Sequence, residues 1–504
     1  MSNPTLLQLL HRLWRHINPR RRLQSGLLFL VMILASLAEV VSIGAVVPFL
    51  GALTAPERIF IHPFAQPLIN SFSLTEPRQL LLPLTIIFSV AALFSGVMRF
   101  TLLWSQTRIS HAIGADFSFS IYRRALYQPY AVHVARNSSE VITGVSGKAN
   151  NVVNSTLMPV FHVFSSILML VFILFALVSL EPVIVIIAFG GFGAIYAVVV
   201  LVTRKALVRD SERVSSKSTQ LIKALQEGLG GIRDVLIDGT QSTYCNIYRN
   251  ADLPLRRAAA NILIISGSPR YGIEALGMVL IAALSYSLAG SSSGITSYIP
   301  LLGALALGAQ RLLPVLQLLY SSWSSMLGNQ ASLADTLDLL DQPLPAHADA
   351  PLPQPLTFKR CIELNDLAFK YTENTPWVLQ HGFSLSIQKG SCIGFIGSTG
   401  SGKSTLLDII MGLLQPTSGS LSIDGIKITE QNHRGWQAHI AHVPQTIFLK
   451  DATISENIAF GVPVEQIDYA RVHQAAEKAQ IAQAINSWDK KYDTLVGERG
   501  VRLS

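Results

Sequence analysis

Six apolar stretches, at about residues 26–50, 80–106, 156–180, 182–204, 259–289 and 298–325, constrain this chain more than any other feature of it. Each runs to about 20 residues or more, the length at which a helix crosses a hydrocarbon layer roughly 30 Å thick. Within that layer every backbone N–H and C=O must find a partner inside the segment, so helices are expected. Composition agrees: of 504 residues, 50% are hydrophobic and 14% charged, with a mean hydropathy of +0.40. These spans exclude a soluble enzyme.

The segments between the stretches alternate in character. Residues 1–25 carry Arg12, Arg15 and Arg20-Arg21-Arg22, and the polar segment to about 154 carries Arg108, Arg123, Arg124, Arg136 and Lys148. Residues 205–258 are again rich in Arg, Lys, Asp and Glu, whereas a Glu181-Pro182 turn and Gly290-Ser291-Ser292-Ser293-Gly294 make the short connections. Basic loops stay inside, which predicts a multi-pass protein of the cytoplasmic membrane with its N-terminus and its region beyond 357 in the cytoplasm. The net charge of +8 is explained in this way. No basic face interleaved with aromatics points to nucleic acid, and no such partner is expected.

Leu9, Leu10, Leu13, Trp14 and Ile17 alternate with the basic residues of the first segment. The apolar run from Gly26 to Leu53 is too long for a signal peptide core. An amphipathic helix lying along the membrane surface is expected there instead. Residues 51–78, with four prolines and Ile59-Phe60-Ile61-His62, read as an extracytoplasmic loop with a short surface helix. The inner segments hold heptad-like patterns such as Leu221, Leu225, Leu229 and Ile232, so helices are expected to extend well below the bilayer. A proline-rich linker at 342–356 separates a membrane domain, 1–341, from a second domain, 357–504. Cys245, Cys361 and Cys392, an odd number at no metal-ligand spacing, are expected to be reduced thiols.

The second domain contains Gly397-Ser398-Thr399-Gly400-Ser401-Gly402-Lys403-Ser404-Thr405. Before it, Cys392-Ile393-Gly394-Phe395-Ile396 reads as a buried strand; after it, Leu406-Leu407-Asp408-Ile409-Ile410-Met411 reads as a helix start. Strand, glycine-rich loop and Lys-Ser at a helix N-terminus make the phosphate-binding pattern G-x-x-x-x-G-K-[ST]. Glycines let successive N–H groups point inward at phosphate oxygens, and the helix end adds positive potential. Lys403 would reach the β- and γ-phosphates, and the Ser404 hydroxyl would ligate Mg2+. ATP and Mg2+ are the expected cofactors.

Six spans, two long inner loops and a C-terminal phosphate loop together resemble an ATP-binding-cassette exporter half-transporter. The fold this implies is a six-span helical exporter domain followed by an α/β P-loop domain. By the same resemblance, Tyr371 looks like the aromatic that stacks on adenine, and Ser418–Gly425 like the hairpin after the first helix. Val443-Pro444-Gln445-Thr446-Ile447-Phe448-Leu449 resembles the Q-loop, in which Gln445 would contact Mg2+ and the attacking water. Val496–Gly500 looks like a segment that touches the intracellular loops, and Gly228–Asp234 like a cassette-contacting region. Leu503-Ser504 looks like the start of the Leu-Ser-Gly-Gly-Gln signature. The family's Walker B aspartate, catalytic glutamate, D-loop and switch histidine have no positions here to map onto. The expectation is therefore a fragment of a transporter or a prematurely ended one, with Lys403 and Gln445 as its catalytic residues. The family's ATP site is shared between two cassettes, which implies a second half-transporter, a second copy of the chain being the leading expectation.

For the cargo, charges inside the spans are informative because they are costly in lipid. They are Glu39, Arg99, Arg270, Glu274 and Arg311. Arg270 and Glu274 are spaced for an intrahelical pair. Arg99 and Arg311 have no acid nearby in sequence and suit a phosphate or pyrophosphate, the alternatives being a pair with Glu39 or snorkelling. Glu39–Phe49, Gln128-Pro129-Tyr130, Arg136–Glu140 and Ser268-Pro269-Arg270-Tyr271 with Glu274 resemble bacterial lipid-linked-oligosaccharide flippases. That resemblance implies a membrane lipid or lipid-linked glycan as substrate. A multidrug or peptide exporter, and a hydrolysis-dead nucleotide-binding partner subunit, are the alternatives.

Overall fold

The computed structural model describes residues 4–54, 56–72, 74–135, 138–178, 182–289, 299–351, 353–445 and 447–497. Two compact units are present, Met1–Pro351 and Leu352–Ser504.

The first unit is helical. It opens with α1 (Leu6–His16), whose start is set by a capping box: Thr5 Oγ1 accepts from the Gln8 amide while Gln8 Oε1 accepts from the Thr5 amide. Then come α2 (Pro19–Thr54), the short α3 (Pro56–Ile61) and α4 (Gln66–Phe72), and α5 (Leu81–Leu126). Short pieces α6 (Tyr130–Ala135), α7 (Ser138–Ile142) and α8 (Ala149–Val152) follow, interrupted by π-helical turns at Thr143–Lys148 and Val153–Leu157. The remaining helices are α9 (Met158–Val178), α10 (Pro182–Gly230), α11 (Ile232–Ile237), α12 (Gln241–Gly267), α13 (Pro269–Ala289), α14 (Ile299–Gly328) and α15 (Gln330–Leu340). At 46 and 49 residues, α5 and α10 are each roughly 70 Å long, more than twice the hydrocarbon thickness.

Among the described residues, Pro19–Leu53, Pro77–Leu126 and Ser139–Phe175 are long and apolar enough to cross a membrane. The other three expected spans fall on α10, on α12 with α13, and on α14, many of whose side chains lie outside the described residues. So do the connections at 179–181 and 290–298. The stretch at about 259–289 is not one helix. It divides at Ser268, because Pro269 has no N–H to give and its ring crowds the preceding turn.

Three helical stripes with the same four-residue spacing meet in one cluster. Leu9, Leu13 and Ile17 lie against Ile113, Phe117 and Ile121 of α5 and Leu333 and Leu337 of α15, with Val152, Val153 and Leu157 filling the junction. The stripe of α1 expected to lie on the membrane thus packs into protein, because α5 and α15 offer matching apolar faces. Leu7 and Trp14, seven residues apart, remain exposed on another side of α1. On its polar side Arg12 pairs with Asp338 at 2.9 Å and with Asp341, and His16 Nε2 lies 2.6 Å from Asp341 Oδ1.

The first half of the expected linker is docked. Arg123 pairs with Asp349, Arg124 donates to the Gln342 carbonyl, and Gln128 Nε2 donates to the Pro343 carbonyl at 3.0 Å. A proline-rich strand makes few hydrogen bonds of its own, so its carbonyls are open to the cationic end of α5.

The second unit holds a four-stranded antiparallel sheet in the order β2-β1-β3-β4, from β1 (Cys361–Phe369), β2 (Leu379–Gln388), β3 (Ser418–Ile423) and β4 (Ile426–Lys427). The helix α16 (Lys403–Ile410) buries Leu406 and Ile409 in a cluster with Leu364, Leu367, Leu421, Ile423 and Trp436. The Trp436 indole N–H donates to the Ile410 carbonyl at 2.7 Å, satisfying the C-terminus of α16. Asp424 and Gly425, at φ 50° and 85°, make the two-residue turn between β3 and β4. Asp424 also accepts the amides of Lys359, Arg360 and Cys361. Those bonds, the Lys359 amide foremost, hold its carboxyl below the usual range against the opposing effect of burial.

The ladder between β1 and β3 shifts register between Asn365 and Ala368. There Gly419, at φ +81°, lets the strands close; a β-carbon on it would come 2.3 Å from the Asp366 carbonyl oxygen. Gly419→Ala is expected to destabilise the second unit by more than about 1 kcal/mol, read as a lower unfolding temperature of the whole chain. A second prediction concerns α1. Burial pushes the Asp341 carboxyl up, and the bonds from Arg12 and His16 outweigh it, leaving it below the usual range. The contact's contribution is therefore present above the ordinary carboxylate range and is lost as pH falls through the lowered value. Asp341→Asn should speed amide exchange across Leu6–His16 already at pH 7, whereas the wild type should do so only in acid.

Candidate functional site

The apolar segment Cys392–Ile396 leads into the glycine-rich loop, but it is not the buried strand its composition predicts. No described segment forms a ladder with it, and Ile396 is 99% exposed. What defines the loop is its own geometry. Gly400 and Gly402 both take positive φ, +86° and +85°, and the Ser401 amide donates to the Ser398 carbonyl at 3.2 Å. At Gly402 the backbone also runs close to Val378, whose carbonyl oxygen would lie 3.0 Å from an added β-carbon. Only glycine accommodates both demands.

Lys403 begins α16 and its ammonium turns back over the loop. It donates to the Gly397 and Ser398 carbonyls, each at 2.8 Å, and lies 3.4 Å from Ser401 Oγ. The cradle is narrow at Gly397, where a β-carbon would come 2.7 Å from Ser401 Oγ. A cation poised over inward-curled backbone, at the N-terminus of an eight-residue helix, fits a nucleotide's phosphate chain. Thr399 belongs to the same loop; Ser404 is exposed and Thr405 buried on the first turn of α16.

Tyr371, two residues beyond β1, is brought to this turn: its hydroxyl lies 3.1 Å from Thr405 Oγ1. Its ring meets Phe369 edge-on, with centroids 5.0 Å apart, and is 40% exposed. Nothing in the sequence marks Thr405 as the residue that orients Tyr371, since the two are 34 positions apart. Another feature that sequence reasoning missed is Asp408 on α16. Burial pushes its carboxyl up, and His442, three residues before Gln445, acts in the opposite direction. Gln445 itself is exposed in an irregular segment.

Other expected residues are distributed differently. Arg99 Nε lies 3.0 Å from Glu39 Oε2, so these two in-membrane charges form a pair. Glu39 is fully buried and also accepts from Ser95 Oγ at 2.5 Å. Arg270 and Glu274 pair along α13 at 2.6 Å. The Arg311 side chain, Arg136 and Asn137, Thr446, and residues 498–504 with Leu503 and Ser504, lie outside the described residues. The three cysteines are free thiols. Among the described residues no group of His, Cys, Asp or Glu is arranged to hold a metal ion by itself.

Comparison with known proteins covers both units. Residues 24–304 match the family model described as ABC transporter transmembrane region, and residues 380–504 match the one described as ABC transporter. The chain is 24% identical over 450 residues to the ATP-dependent lipid A-core flippase of Alkalilimnicola ehrlichii, spanning 87% of this chain and 74% of that protein. It is 36% identical over 149 residues to ATP-binding cassette sub-family B member 10, mitochondrial, of Mus musculus, 29% of this chain but only 21% of that protein. Among solved structures, a bacterial Atm1-family ABC exporter with ATP bound superposes with a TM-score of 0.72, covering 96% of this chain and 81% of that one. At 21% identity, that likeness speaks for the fold.

The geometry predicts a graded loss of nucleotide affinity. Lys403→Ala should weaken ATP binding by about tenfold or more, as expected for loss of a charge-assisted contact to phosphate. Tyr371→Ala should weaken it by about tenfold through loss of ring stacking, while Tyr371→Phe keeps most of the affinity. Titration calorimetry on the purified chain measures all three.

Proposed function

The chain belongs to the ABC transporter family, and on that premise we propose that it is a half-transporter that moves a lipid-linked glycan across the membrane. ATP binding and ATP-driven export come with the family. The cargo, the partner and the metal are the parts we add. Two copies pair so that ATP is shared between their cassettes, with Gly397–Thr405 holding the phosphates and Tyr371 the adenine. Mg2+ would be held by the Ser404 hydroxyl and Gln445 together with phosphate oxygens. Binding and hydrolysis then drive alternating access, with the N-terminus and the nucleotide site in the cytoplasm.

The observation that carries the cargo assignment is the Glu39–Arg99 pair between α2 and α5. A charge at membrane depth is retained only where it meets a partner or a cavity. Glu39 is fully buried whereas the Arg99 side chain is 39% exposed, so the carboxylate anchors a guanidinium that stays accessible. Guanidinium groups recognise phosphate oxygens in pairs. Arg99, with Arg311 as its proposed companion, would meet the anionic linkage while the lipid tail remains in the bilayer. A relative named as a lipid flippase supports a lipidic cargo over a drug or peptide.

Reconstituted in proteoliposomes, the protein should have its ATP binding stimulated by a polyprenyl-pyrophosphate-linked oligosaccharide and not by hydrophobic drugs or peptides. Arg99→Ala should lower that stimulation by about tenfold, with basal nucleotide binding retained. Stimulation by drugs or peptides alone would overturn the cargo assignment.

A further inference from the structure

Helices α10, α13 and α14 line a half-open cavity of about 200 Å3. It is lined by apolar side chains and by five polar ones: Tyr196, Arg270, Glu274, Gln317 and Ser321. Its size is below the roughly 300–1,000 Å3 of pockets that take drug-sized ligands, so it suits a single ring and not a lipid tail or a chain of sugars.

The chemistry of the lining is specific. Arg270 donates its Nε to Glu274 Oε1 at 2.6 Å, which makes the cavity neutral overall. That leaves both terminal nitrogens of Arg270 and the second oxygen of Glu274 without a partner among the described residues. Tyr196 donates its hydroxyl hydrogen to Gln317 Oε1 at 3.1 Å, and Gln317 Nε2 is held by the Ser266 carbonyl at 3.2 Å. The Tyr196 oxygen therefore offers only lone pairs. Ser321 gives its hydrogen to the Leu318 carbonyl at 3.2 Å and likewise offers only lone pairs. Donors from one guanidinium and the second hydrogen of the Gln317 amide nitrogen thus share the cavity with acceptors from a carboxylate and two hydroxyls.

A phosphate carries only acceptors and negative charge. It would match Arg270 but would be opposed by Glu274 and find two further acceptors facing it. A sugar hydroxyl both donates and accepts, and so matches every free group in the lining. Tyr196 adds an apolar ring surface, held in place against Tyr320 with centroids 5.3 Å apart.

We infer that this cavity binds one uncharged, polyhydroxylated ring of the transported molecule, apart from the groups that meet its anionic linkage. The inference deepens the lipid-linked-glycan reading and rests on it. Glu274 and Ser321 are then specificity-determining residues, and the Arg270–Glu274 pair balances charge so that the pocket reads hydroxyls.

The test uses the full chain in lipid nanodiscs and two short-chain probes, hexyl glucoside and hexyl phosphate, with binding followed by calorimetry. Hexyl glucoside should bind saturably. Glu274→Gln should weaken it by about tenfold, as for loss of a hydrogen bond to a charged group, and Ser321→Ala severalfold. Ser321→Ala is the variant least able to disturb folding, so an effect there does not depend on the charge pair surviving. Hexyl phosphate affinity should not fall in Glu274→Gln. Three results would overturn the inference: no saturable glucoside binding, glucoside binding unchanged in both variants, or phosphate binding that is abolished by Arg270→Ala. The two levels of the proposal separate cleanly. Stimulation of ATP binding by the glycolipid with no glucoside site sinks the pocket alone; glucoside binding without stimulation by any glycolipid sinks the cargo assignment and leaves the pocket as a sugar site.

Discussion

The membrane unit depends on one apolar junction. Fourteen buried side chains gather where α1, α5, α8 and α15 meet, with leucine, isoleucine and phenylalanine supplying most of the area. Burying each large aliphatic side chain contributes about 1.5–3 kcal/mol. Among the described residues no polar pair on this unit's surface approaches that scale: exposed ion pairs contribute about 0–1 kcal/mol each. Arg12, His16, Asp338 and Asp341 surround the junction and select which faces meet. The apolar stripes hold them together.

In the second unit the ordering is different. The phosphate loop makes few apolar contacts and sits on the cluster formed by Leu364, Leu406, Ile409 and Trp436. A helix with a satisfied C-terminus, through Trp436, presents an N-terminus whose amides and lysine face the loop. The loop's positive-φ positions are tolerable because glycine occupies them. The site's precision thus comes from what lies beneath α16.

Much of this was legible in the residues. Long apolar runs and a glycine-rich loop ending in Lys-Ser each impose a local conformation with few alternatives, so they survive without tertiary information. What depended on distant partners did not. The residues allow Glu39 as one of several partners for Arg99, and the packing of α2 on α5 decides for that pair. The stripe on α1 has the same periodicity whether it lies on lipid or on protein. Residues 342–349 look like a free linker by composition, yet their carbonyls are taken by Arg124 and Gln128. Cys392–Ile396 has strand composition, but a strand also needs an edge to pair with, and that is a property of its surroundings.

The junction also has a bearing on how the chain is made. Arg12 finds Asp341 only 329 residues further along, and Leu9 and Leu13 must await Leu333 and Leu337 of the same helix. During synthesis α1 therefore emerges long before α15, one of its two packing partners, exists. Its apolar stripe must be sheltered in the interval, and the membrane surface is the nearest apolar phase. The stripe of α1 can thus close the junction only once Leu333 and Leu337 have been made, which makes that closure a late step in building this unit.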